Sequence, residues 1–233
     1  MSDILKQNNP GWRQTEIALT GRYLIAFAAL TILCGTSHEF AHHFTGAAMC
    51  GAFGTKTFNS FELAPGCGLT AEVVATCAGP IFTFGLMWWG VALLRREDLL
   101  ERRLGLAIIF ANFPINRLFF VLIQSNDEDY VRRLLFPDSV VAHWITVALV
   151  WLIAVPPLVF AYRALANKPR WLWFMGLFIL PFVFVIVFAG LFLEQYLLLD
   201  HRILASPVLG VPWLIIVVEM ASLALYVTFR RSF

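Results

Sequence analysis

Two stretches of this chain, residues 73–94 and 171–193, contain no Asp, Glu, Lys or Arg. About 20 consecutive apolar residues, rising 1.5 Å each, are what an α-helix needs to cross the hydrocarbon core of a bilayer. The composition agrees: 60% of the 233 residues are hydrophobic and 14% charged, with a mean hydropathy of +0.76. A soluble domain carries about 25% charged residues. The chain therefore reads as an all-α polytopic membrane protein. The length criterion gives about six transmembrane helices, over roughly 22–44, 72–94, 104–124, 139–163, 171–198 and 207–229. Charged breaks at 95–103, 163–170 and 200–202 separate spans two from three, four from five and five from six. No internal repeat or low-complexity tract interrupts what reads as one membrane domain.

Lys and Arg are unevenly shared between the two sides. Twelve of the 17 fall on the side of the termini, four (Lys56, Arg132, Arg133, Arg202) on the other, and Arg117 within a span. By the positive-inside rule both termini are cytoplasmic, as expected of a multi-pass protein of a bacterial inner (plasma) membrane. The polar N-terminal segment 1–21 shows no cleavable signal. No basic array with the spacing of a nucleic-acid motif occurs, so no nucleic-acid partner is expected. The four cysteines form no C-x-x-C pair. Cys50 and Cys67 share a non-spanning segment and could pair in an oxidising compartment, but four free thiols is the simpler expectation.

Residues 45–70 are too polar and glycine-rich to span. Within them 55–63 is rich in Thr and Phe and alternates in places, as a short strand does. Bare backbone cannot face lipid, so a short re-entrant or interfacial β-hairpin or loop after the first span is expected, buried in protein or at the interface. An exposed edge there could take an extended peptide by strand addition.

The first span ends in His38-Glu39-Phe40-Ala41-His42, with His43 directly after. On a helix, i and i+4 share a face, so His38 and His42 can present two imidazoles to one ion. Glu39 between them can address a water on that ion as general base. Three histidines and a carboxylate at bilayer depth are costly unless something binds them. The plainer alternative is a polar helix end reaching up to the interface.

Two histidines need a third protein ligand. Asp127, in the acidic run 127–129 at the far end of span three, is the first candidate, Asp129 the reserve and Glu128 a weaker choice. Spans one and three both start on the cytoplasmic side, so the topology independently brings Asp127 to the depth of His38 and His42. The same acids would also suit the first turn of a helix.

Asn112 and Asn116, four apart with Pro114 between them, would share a helix face and either support the substrate or ligand loop, or hold helices together. Arg117 inside the same span calls for a carboxylate partner or a place in the site, where oxyanion stabilisation is an option. Gly79 and Pro80 permit close helix approach and a kink. Glu219 in span six reads as a structural pair. His43, His143 and His201 read as interfacial, with His43 an option for supporting a ligand.

Taken together, His38-Glu39-x-x-His42, the Gly/Phe-rich segment after it, Ala78-Gly79-Pro80-Ile81 and Asn112-Phe113-Pro114 resemble the site-2 protease family of intramembrane zinc metalloproteases. The resemblance covers about residues 22–135 and implies a catalytic core there, with 136–233 adding three further spans. It implies Zn2+ held by His38, His42 and Asp127, Glu39 as the base, and cleavage of a peptide bond in or near a transmembrane segment of a membrane-protein or peptide substrate. The chain departs from the family in lacking an Asp-Gly pair soon after Asn-Pro. Its charge bias also sets the site toward the extracytoplasmic side, so the resemblance is to a divergent branch. The alternative function is a non-catalytic metal-binding membrane protein or scaffold that keeps the motif. A di-iron desaturase needs several histidine boxes, and the five histidines here, two of them isolated, do not supply them.

Overall fold

The computed structural model describes residues 13–233. The N-terminal segment as far as residue 12, with Lys6, lies outside the described residues. Among the described residues, six helical stretches are long and apolar enough to cross a membrane. They are α1 (Gly21–Cys50), α2 (Leu69–Leu94), the broken pair α3 (Leu99–Ala111) and α4 (Pro114–Phe120), α6 (Val140–Ala164), α7 (Arg170–Phe184) with its π-helical continuation (Val185–Asp200), and α8 (Trp213–Phe229). A short helix, α5 (Asp127–Leu135), follows α4. Two two-stranded antiparallel hairpins complete the fold: β1 (Thr55–Lys56) with β2 (Phe61–Glu62), and β3 (Pro207–Val208) with β4 (Val211–Pro212).

Each boundary has a local cause. Thr20 caps α1 by accepting from the Tyr23 amide, and α1 ends where Gly51 turns left-handed at φ 70°. The third span does not run through. Pro114 has no amide to donate and would clash with the preceding turn, so α3 stops and α4 restarts with Pro114 in its first turn. Phe113 at the join takes a left-handed φ of 36°. The break removes Asn112 and Asn116 from the shared face expected of them. Asn112 instead closes α3, its amide donating to the Ile108 carbonyl at 2.8 Å. The sixth span also begins later than expected, because Pro207, Gly210 (φ 78°) and Pro212 make residues 207–212 a hairpin rather than helix.

The main hydrophobic cluster lies toward the end of the bundle where α1 begins, and includes Tyr23, Phe27, Val91, Leu94, Leu106, Phe110, Leu158 and Phe178. There α2 and α3 pack tightly, since a Cβ at Gly90 would lie 2.8 Å from the Gly105 carbonyl oxygen. At the other end Cys50 and Cys67 form a disulfide, Cα–Cα 5.7 Å, correcting the expectation of four free thiols. The bond joins the end of α1 to the segment leading into α2 and closes a loop around the first hairpin. A second cluster, Phe58 with Leu193, Leu198, Val211, Leu214 and Ile215, seats the hairpin tip against the last two spans.

Candidate metal centre

His38 and His42 lie in the last half of α1, side by side as the helical repeat requires, with ring centroids 4.5 Å apart and planes at 89°. Both rings are almost fully buried. Each is oriented by a bond at Nδ1: His42 donates to the Ala75 carbonyl at 2.8 Å, and His38 meets the Thr83 hydroxyl at 2.9 Å. A carbonyl can only accept, so His42 carries its proton on Nδ1 and its bare Nε2 faces inward. That Nε2 lies 3.0 Å from His38 Nε2. The arrangement, with Nδ1 anchored and Nε2 turned to a common point, is how proteins prepare histidines for a metal.

Asp127 comes to the same point from the opposite side. Its Oδ2 is 3.2 Å from His38 Nε2 and 3.8 Å from His42 Nε2. Three donors on a tetrahedron with bonds of about 2.0–2.1 Å would stand about 3.3 Å apart, and these three separations bracket that value. His38, Glu39 and His42 also form a group whose ligand atoms all lie within 4.8 Å of one another. The residues present therefore fit a cation. Asn126 caps α5 by accepting from the Asp129 amide at 3.1 Å, so Asp127 occupies the first turn of α5 and faces the histidines at once. Cap and site residue are compatible here.

The reserve candidates are taken elsewhere. Asp129 is fully buried between Arg132 (3.1 Å), Arg133 (3.5 Å) and His143 (3.1 Å), far from bare. His143 is thus a buried hydrogen-bond partner of Asp129. Glu128 pairs with Arg117 at 3.2 Å. Arg117 is itself buried and serves three groups: Nη1 reaches Asp127 Oδ2 at 2.9 Å and Glu128, while Nη2 lies 3.0 and 3.2 Å from the two nitrogens of the His38 ring. Burial alone would raise the Asp127 carboxyl, but the His38 hydrogen bond and the Arg117 guanidinium reverse this and hold it well below the usual carboxylate range. Two carboxylates share this one guanidinium, leaving formal negative charge that a bound cation would offset. Replacing Arg117 with Met is expected to cost about 3 kcal/mol or more, because breaking a buried pair strands its partners. Thermal unfolding of the purified protein in detergent measures it; an unchanged midpoint would mean that solvent carries both acids.

Gly79 is the residue that lets α2 close on the site. A Cβ there would lie 2.2 Å from His42 Nε2 and 2.5 Å from His38 Cε1. The first hairpin covers the other flank, with Phe61 of β2 stacked on His42 at 4.4 Å and 9°. Asn116, Arg117 and Glu39 line a cavity of about 410 Å³ that continues past Phe113 to Phe182 and Ile186 of the fifth span. Of the spans beyond residue 135, the fifth therefore walls this cavity. His43 is not among its supports: it donates to the Leu209 carbonyl at 2.8 Å and ties α1 to the second hairpin. His201 is exposed beside Tyr196. Glu219 has its Oε1 buried without a hydrogen-bond partner among the described residues, and the cation it faces is Lys56.

Sequence reasoning missed two charges. Lys56 is 1% exposed, donates to the Thr57 carbonyl at 2.9 Å and lies 4.4 Å from the Phe40 ring centre. Burial pushes it down to about 8 against the pull of Glu39, Glu219 and Glu194. Glu194 holds the hairpin tip to the fifth span, accepting from Thr57 Oγ1 at 2.9 Å and from the Asn59 amide. Each had a sequence signal: a lone lysine in a Thr/Phe strand, and the first acid after 23 uncharged residues (171–193). Compared against family models, curated proteins and solved structures, the chain has no match.

Proposed function

We propose that this protein is an intramembrane zinc metalloprotease of the site-2 protease type. The observation that carries the reading is the convergence of Asp127 with His38 and His42, 89 and 85 residues apart in sequence, to donor separations of 3.2 and 3.8 Å. His38, His42 and Asp127 would hold the ion. When bound, zinc supplies Lewis acidity and a water whose pKa falls toward 7. Glu39, beside the histidines and facing the cavity, takes a proton at its carboxylate and returns one to the leaving amine. A helical substrate hides its carbonyls, so it must be drawn out into extended form. β2, paired on one side with β1 and packed on His42 through Phe61, offers an edge to receive it. The walls from α1, α4 and the fifth span restrict water around the site. The Cys50–Cys67 bond joins the uneven Lys/Arg count in supporting an orientation with the hairpin on an oxidising, extracytoplasmic side and the termini in the cytoplasm.

One observation favours the non-catalytic reading: Arg117 already satisfies Asp127 and contacts His38. Metal analysis of the purified protein decides whether this cluster holds an ion at all; turnover, not metal content, separates the catalytic from the non-catalytic reading. Zinc at about one per chain is expected in the wild type, and its loss in both His42→Ala and Asp127→Ala. Wild-type protein free of metal after purification in zinc-containing buffer would end the proposal; zinc retained in Asp127→Ala would move the third ligand elsewhere.

A further inference from the structure

The metal centre lies between two cavities that share Asp127 and differ in their walls. The first, of about 410 Å³, is bounded beyond the polar site by Ile32, Phe120, Phe182 and Ile186 of the spans and by Phe113 at the join of α3 and α4. The second, of about 400 Å³, lies on the hairpin side, bounded by residues 61–64, by Glu72 and Thr76 of α2, and by Tyr130 of α5. Three acids, Glu62, Glu72 and Asp127, border it, and no Lys or Arg does. Glu72 accepts from the Tyr130 hydroxyl and Glu62 from Thr55 Oγ1 at 3.0 Å, so neither carboxylate is neutralised by a cation in these bonds. Among the described residues β2 has a hydrogen-bonded partner strand on one side only, and it is this strand with its continuation that bounds the second cavity. Asp127 borders both cavities, so the two meet at the site.

We propose that the substrate is a membrane-protein segment cut where an apolar span gives way to basic residues. The apolar part occupies the first cavity, and Lys or Arg side chains on the hairpin side meet Glu62 and Glu72. This rests on the protease reading above and adds to it a direction and a charge preference. An acidic residue in the second cavity would face the like charges of Glu62, which is exposed, and Glu72, which is half-buried, and juxtaposed anions disfavour the wrong partner. The Glu72 bond to Tyr130 and its place in the first turn of α2 account for its own stability, but they do not account for a second acid across the same cavity.

The test uses the full chain in detergent with three peptides that share one Leu/Phe-rich stretch and end in Lys-Lys, Gln-Gln or Glu-Glu on the proposed hairpin side. The expected order of kcat/KM is Lys over Gln over Glu, with about tenfold or more between the extremes, corresponding to about 1.4 kcal/mol. The double variant Glu62→Lys with Glu72→Lys is expected to reverse the order, and the milder Glu62→Gln with Glu72→Gln to flatten it. Equal cleavage of all three peptides by the wild type, or an order unchanged in a folded double variant, overturns the charge preference alone. Absence of cleavage of any peptide by zinc-loaded wild type overturns the protease reading beneath it.

Discussion

Replacing Glu39 with Gln is expected to lower peptide-bond cleavage by about 10²–10⁴-fold, the usual contribution of a positioned general base, while zinc content and helical structure stay at wild-type levels. The substitution keeps the shape of the side chain and removes only its capacity to take a proton. Three features make it discriminating. Glu39 lies within 4.8 Å of the histidine donors but outside the three that converge within 3.8 Å, so an ion held by His38, His42 and Asp127 keeps those donors when Glu39 is changed. It faces the same cavity as His38 and Asp127. Its neighbour Lys56 is already held at the Phe40 ring and the Thr57 carbonyl, so a neutral amide at position 39 does not leave that ammonium without partners. Rates of a chromogenic or mass-resolved cleavage assay, set beside metal content on the same preparations, decide the matter. Undiminished turnover in Glu39→Gln would remove it as the base, and an inert wild type indifferent to the substitution would favour a protein that only binds the metal.

What could be read from the chain, and what could not, divides by the range of the interaction. The spans were legible because a bilayer imposes one length and one composition on every helix that crosses it. His38, Glu39 and His42 were legible because a helix fixes the geometry of i and i+4 without help from the rest of the fold. Asp127 was reachable one step further out, since topology alone sets the depth at which spans one and three end. Beyond that the signals fade. The Cys50–Cys67 bond depends on how a 17-residue separation folds back, which spacing does not encode. The helix break at Phe113 was hinted at by Pro114, yet an intramembrane proline can also bend a helix without ending it. The bonds of Asp129 to Arg132, Arg133 and His143, and the Glu194 hold on Thr57 and Asn59, join residues 3 to 137 positions apart. Such partnerships emerge only from packing, which is why Asp129 looked like a spare ligand until its neighbours were in place.

Adding a single methyl group at Gly79 is expected to disable the centre as thoroughly as deleting a ligand. Glycine in mid-helix ordinarily weakens it, and Ala would be the better helix former. Here the opposite sign is expected, because the new Cβ would sit 2.2 Å from His42 Nε2 and 2.5 Å from His38 Cε1. Neither ring is free to yield: His42 is anchored to the Ala75 carbonyl and His38 to Thr83, both on the same helix as Gly79. Relief must come from breaking those bonds or from moving α2 off α1, and either displaces the nitrogens that face Asp127. Disturbing the bonds that orient metal-ligating histidines typically costs 10–100-fold in metal affinity, and a steric insertion at the donor atoms themselves should exceed the upper figure. Gly85, six residues further along α2, supplies the control, since a Cβ there meets nothing within 4 Å. Zinc titration of Gly79→Ala beside Gly85→Ala should therefore show affinity falling by about 100-fold or more in the first and unchanged in the second. Equal zinc affinity in both would mean that α2 does not press on the histidines, and that the two imidazoles are not held in place for an ion by the helix facing them.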